Sequence, residues 1–152
     1  MMATFQKDVT EIQAKLQGLL GQKAWGVARG QGSFVTMEFG QPVPPAKANE
    51  ATHGEWHLWL YGCAWRLEQG DRVVIASEDE QTDIEIAIQL LEGRVLQKFD
   101  LQTPALDAVI TFEGDVALRL FSVNAEDIDS WMLFTPEKVV TVGAGGQWSY
   151  EA

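Results

Sequence analysis

Ile12, Leu16, Leu19 and Gly21 return at the same spacing as Ile84, Ile88, Leu91 and Gly93. One shift of 72 residues relates the two sets, and such a repeat restricts the fold more than any single motif in the chain. Phe5 and Val9 extend the first apolar stripe and Ala87 lies on the second, so each set predicts an amphipathic helix closed by glycine. The second helix is announced by "SEDE", in which Ser77 is expected to cap and Glu80 to reach back.

Beyond each helix the apolar period falls to two. Val35, Met37 and Phe39 alternate with Phe34, Thr36 and Glu38; Ile110 and Phe112 do so later, followed by the row Val116, Leu118 and Leu120. "FVTMEFG" ends at Gly40 and "AVITFEG" at Gly114, out of step with the repeat by a residue or two, which a bulge would absorb. The shift of 72 also lays Trp59 on Trp131. "DRVVIAS" and "EKVVTVG" read as strands, "GAGG" as a hairpin turn and "GQPVPPAKANEATHG" as a long loop. The expectation is an α+β fold, one domain over 1–152 made of two repeats, about 1–76 and 77–152. Each repeat supplies one helix and about four antiparallel strands, and the halves pack about a pseudo-twofold axis on a shared core.

Among 152 residues there is a single cysteine, Cys63, so no intrachain disulfide can form. The first residues carry charge and helical periodicity where a signal peptide would be apolar, and no apolar run is long enough to span a membrane. A reducing cytoplasm is the expected location. The net charge is −11, and all of the excess lies late in the chain: residues 1–77 hold seven basic and seven acidic side chains, residues 78–152 four and fifteen. Nucleic acid is a poor match for so few clustered cations. A basic protein partner suits the second half, through Glu78, Asp79, Glu80 and Asp83 and through Glu126, Asp127 and Asp129. Solvation and helix capping account for the same residues without a partner.

"WHLWLYGCAW", residues 56–65, is the densest aromatic stretch. As one strand it reads as central and covered on both faces, with Gly62 at a bulge or a close backbone approach. The alternative turns His57, Trp59, Tyr61 and Trp65 toward a ligand. In "HGEWH", His53, Glu55 and His57 alternate so that an extended backbone aims all three one way, a weak facial metal set. Cys63 lies too far along the strand from His57 to form a thiolate pair. "GAGG" lacks the lysine and helix of a phosphate loop, and neither acidic cluster has calcium-loop spacing. No Ser/His/Asp signature is present, so the residues favour a binding protein over an enzyme, and no cofactor is expected.

The run "DAVITFEGDVALRLF", then "DSWMLFTPEKVVTV" and "GAGGQWSY", resembles small bacterial proteins of unknown function, some of immunity type and associated with polymorphic toxins. The matching positions are Phe112, Gly114, Trp131, Leu133 and Gly146. The resemblance implies a partner such as a basic toxin domain, and carries over no catalytic residue. The leading expectation is a non-enzymatic binding protein engaging a protein partner through its acidic half. The alternative is a small-ligand or metal-binding protein, or a hydrolase, with its pocket near His57, Trp59 and Trp65. Self-association through a sheet edge or the aromatic face is a third reading.

Overall fold

Alternating burial along the strands builds two sheets whose apolar faces share one hydrophobic cluster. The computed structural model describes residues 2–45, 47–49, 52–126 and 128–152; Asp127 and the side chain of Phe5 fall outside the described residues. Helix α1 is Met2–Leu16 and α2 is Gln81–Ala87, each continued by a 3-10 turn, at Gln17–Leu19 and Ile88–Leu91. The strands are β1 (Trp25–Arg29), β2 (Val35–Val43), β3 (His53–Leu60), β4 (Cys63–Gln69), β5 (Arg72–Ala76), β6 (Leu96–Gln102), β7 (Asp107–Phe112), β8 (Val116–Ser122), β9 (Asp129–Phe134), β10 (Val139–Gly143) and β11 (Trp148–Glu151). All pairings are antiparallel, in the orders β1-β2-β3-β9-β10-β11 and β5-β4-β8-β7-β6. The class is α+β as expected, with five strands before α2 and six after it rather than about four in each half.

Both helical stripes are found. Ile12, Leu16 and Leu19 are fully buried, as are Ile84, Ile88 and Leu91. Gly21 and Gly93 follow them at φ +89° and +80°, a backbone region that favours glycine. The expected capping box does not form: Glu80 is the residue before α2, without a capping hydrogen bond from its side chain. Ser77 Oγ instead accepts the Trp65 backbone N–H at 3.1 Å, and Asp79 Oδ2 accepts that of Ala76 at 2.8 Å.

Exchanging β1–β5 with β6–β10 turns one sheet order into the other, apart from the extra edge strand β11. Hydrogen bonds follow the same exchange. Gly21 N–H donates to Leu96 O at 2.8 Å while Gly93 N–H donates to Ala24 O at 2.7 Å; Leu96 N–H donates to Gln22 O at 2.8 Å while Ala24 N–H donates to Arg94 O at 3.0 Å. Around them Lys23 and Val95 form an antiparallel bridge. Each helical segment also closes the edge strand of the opposite half. Glu92 accepts the Gly26 and Val27 N–H groups of β1, and Gln13 Nε2 donates to Phe99 O of β6 at 2.7 Å. The correspondence is architectural; it does not by itself establish that one half was copied from the other.

The exchange corrects the alignment of Trp59 with Trp131. Leu60 pairs with Trp131 across β3 and β9, whereas Leu120 pairs with Trp65 across β8 and β4. The counterpart of Trp131 is therefore Trp65. Their indole N–H groups match as well: Trp65 Nε1 donates to Ser33 O at 2.9 Å and Trp131 Nε1 to Leu106 O at 3.0 Å, each just ahead of the second strand of its half. Trp65→Phe and Trp131→Phe each strip a bonded carbonyl of its donor and leave a void, so each is expected to cost about 2 kcal/mol. Urea unfolding of the two variants should give losses within about 1 kcal/mol of one another, since the environments are alike.

Candidate functional site

Residues 56–65 are not one strand. β3 ends at Leu60, Tyr61 and Gly62 cross from one sheet to the other, and β4 begins at Cys63. Gly62 N–H donates to Asp129 O at 3.0 Å, and a Cβ on Gly62 would overlap that oxygen, so of the two expectations for Gly62 the structure shows the close backbone approach. The crossing resets which side chains face inward. Trp56, Leu58, Leu60, Cys63, Trp65 and Leu67 all enter the core. Trp65 is thus removed from the candidate ligand set, and Tyr61, 53% exposed, stands at the crossing with its ring edge-on to Phe34 at 5.4 Å.

His57 and Trp59 remain on the outer face of the six-stranded sheet. Directly across from His57 lie Glu38 on β2 and Phe134 on β9, and across from Trp59 lie Thr36 and Met132. Directly opposed residues share a face, so the rows bring Glu38, His57 and Phe134 together. Ring centroids of Trp59 and Phe134 are 5.0 Å apart, those of His57 and Phe134 5.5 Å, and those of His53 and His57 4.6 Å.

Glu38 is 5% exposed and His57 8%. Glu38 Oε1 accepts the Gly54 N–H at 2.8 Å and lies 3.9 Å from His53 Nδ1; Oε2 meets His57 Nδ1. That last contact lies off the hydrogen-bonding direction, so among the described residues His57 Nδ1 has no hydrogen-bond partner, and neither has the buried Trp59 Nε1. Glu38, His53 and His57 each offer one ligand atom, all within 4.8 Å of one another. Two imidazoles and a carboxylate can hold a divalent transition metal.

The acid of this group is therefore Glu38, not the expected Glu55. A bulge between Phe39 and Pro42 leaves Glu55 opposite the irregular stretch of β2, where its Oε1 accepts the Gln41 N–H at 2.8 Å. Strand alternation makes His53, Glu55 and His57 visible in sequence, whereas the Glu38 position depends on cross-strand register. Phe134 and Val43 escaped for the same reason.

Over these residues lies a concavity of about 500 Å³, lined among others by Val43, His53, Glu55, Trp59, Phe134 and Pro136. It opens beside the connection between β2 and β3. A second concavity, of about 570 Å³, lies ahead of α2 and is lined by Ser33, Ser77, Glu78, Asp79, Glu80 and Thr82 among others. Its walls carry no aromatic ring and are mostly solvated.

The acidic residues are exposed, in two stretches of the chain. Glu78, Asp79, Glu80 and Asp83 surround the start of α2, Glu126 and Asp129 sit between and at the ends of β8 and β9, and no hydrogen bond or ion pair among the described residues joins the groups. Cys63 is buried beside Ser130, and burial pushes its thiol up to about 12, so it stays protonated and poorly nucleophilic at neutral pH.

The other sheet supplies an internal comparison. Where β2, β3 and β9 place Glu38, His57, Trp59 and Phe134, the matching positions of β7, β8 and β4 hold Thr111, Ala117, Arg119 and Glu68. There Glu68 accepts from Arg66 Nε at 2.6 Å and Arg119 Nε at 3.0 Å, which hold its carboxyl below the usual range. The inward partners are by contrast alike: Met37 and Ile110, Leu58 and Leu118, Leu60 and Leu120, Leu67 and Leu133. The fold thus calls for the inward residues in both halves and for the imidazole group in neither.

No family model matches the chain, and no curated protein or solved structure matches it either. The resemblance of the C-terminal half to immunity-type proteins accordingly rests on its motifs alone. No helix among the described residues is long and apolar enough to cross a membrane.

Gly54 is the residue that ties the group together, because its N–H binds Glu38 and a Cβ there would overlap the Phe39 carbonyl oxygen. Gly54→Ala should force β2 and β3 apart at a cost on the order of 2 kcal/mol. Thermal unfolding measures the loss, and amide exchange should show it concentrated at residues 38–43 and 53–57.

Proposed function

We propose that this is a small-molecule-binding protein whose ligand occupies the concavity over His57, Trp59 and Phe134. The observation that carries the reading is the concavity itself, about 500 Å³ with Val43, Trp59, Phe134 and Pro136 as apolar wall and two imidazoles at its base. That volume falls in the range of ordinary ligand pockets, and an apolar lining with a few convergent polar groups is their usual composition. Trp59 and Phe134 offer ring surface for an aromatic or branched aliphatic body. His53 and His57 offer polar contacts to a ligand's donor or acceptor atoms.

A fragment library of aromatic acids, amines and neutral amides, followed by amide and side-chain NMR, tests the proposal. Bound compounds should perturb residues 53–59 and 132–136, and Phe134→Ala should weaken them about tenfold or more through lost apolar contact. Perturbations that map elsewhere, or a library with no binder, would overturn it.

Engagement of a basic protein, such as a toxin domain, by the acidic half is the second reading. It is supported by the exposure of Glu78, Asp79, Glu80, Asp83, Glu126 and Asp129, and ranks lower because exposure and charge of one sign are also what solvation alone produces. Its signature is association that slows steeply between low and physiological salt and is lost on charge reversal at these positions. Binding that ignores both changes would exclude it.

A further inference from the structure

We infer that Glu38, His53 and His57 form a binding site for one divalent transition-metal ion, of the zinc, iron(II) or cobalt(II) kind, at the base of the concavity. The inference deepens the small-molecule reading, because a three-residue ligand set leaves coordination positions for a bound molecule, but the ion's own binding does not depend on that molecule.

The buried carboxylate is the first argument. Among the described residues Glu38 has no lysine or arginine in ion-pair contact; the groups that face it are the two imidazoles. A carboxylate hidden from water needs a compensating charge or several hydrogen bonds, and the Gly54 N–H supplies one. Second, His57 Nδ1 sits against Glu38 Oε2 without a directed hydrogen bond. A proton shared between the two atoms or a metal ion beside them would each satisfy that contact, and the metal titration distinguishes the two.

The third argument is chemical fit. Nitrogen and oxygen donors without thiolate suit zinc, iron(II) or cobalt(II), and an all-oxygen calcium or magnesium cage is not what these residues make. Zinc–imidazole bonds near 2.1 Å bring the donors of one ion within about 4.2 Å of each other. The present separations reach 4.8 Å, so a small inward swing of His53, whose side chain is 52% exposed, completes the set. Thr111 and Ala117 stand at the positions of the other sheet that match Glu38 and His57, so the shared backbone plan forms without these two ligands.

The test uses the full chain without a histidine tag, stripped with chelator and titrated with cobalt(II). Wild-type protein should bind one equivalent and develop the visible absorption of protein-bound cobalt, which one equivalent of zinc displaces. His53→Ala, His57→Ala and Glu38→Gln should each weaken binding on the order of 100-fold, since even partners of metal ligands are worth about 10–100-fold. Glu55→Gln should stay within a few-fold of wild type, because its carboxylate is bound to Gln41 N–H. His53 is half exposed, so its alanine variant should fold normally and keeps the test decisive even where Glu38→Gln does not fold. No stoichiometric cobalt binding by the wild type, or undiminished binding by His53→Ala, would overturn the metal site. Fragment binding that persists in metal-free protein would leave the small-molecule reading standing without it, whereas cobalt binding with no fragment binder would leave the reverse.

Discussion

The four backbone hydrogen bonds exchanged between residues 21–24 and 93–96 hold the architecture together. They join the segments that leave the two helical stretches, and so set each helix against the edge strand of the other half. With the edges β1 and β6 covered, the apolar faces of both sheets turn inward onto one core to which each half contributes. Neither set of strands could bury its apolar face alone, because each sheet is completed by strands from the other half.

Much of this was legible because helix and strand periods are strong signals. The stripes at Ile12–Leu19 and Ile84–Leu91, their closing glycines, the alternation around Met37 and Ile110 and the turn after Val142 all read correctly. What failed were relations between segments. The stretch from Trp56 to Trp65 is uniformly apolar, so periodicity could not reveal that the chain changes sheets at Tyr61 and Gly62. Trp59 was laid on Trp131 because a single shift was assumed, while the connection ahead of β3 is longer than the turn ahead of β8. Ser77 looked like a cap because its competitor, the Trp65 N–H, lies on a different strand. Glu38 was hidden by the bulge in β2, which decides whether it or Glu55 meets the imidazoles.

The partial twofold separates two kinds of constraint that one sequence ordinarily mixes. Positions facing the core carry similar residues in both halves, which is what packing requires. Positions facing outward are free to differ, and they do: one sheet presents an arginine–glutamate cluster, the other imidazoles, a buried acid and aromatic rings. A buried histidine on the outer face of a sheet raises the question of whether it is structural. Here the opposite sheet answers it, since the same backbone is built there with alanine.

Both strands that carry Glu38, His53 and His57 run into the connection between Val43 and His53, none of whose described residues belongs to the shared core. Lengthening or trimming that connector would act first on His53 and on the buried Gly54–Glu38 hydrogen bond, and only then on the apolar core. Descendants of such a chain could therefore retune what they hold by insertions and deletions there, without repacking the interior.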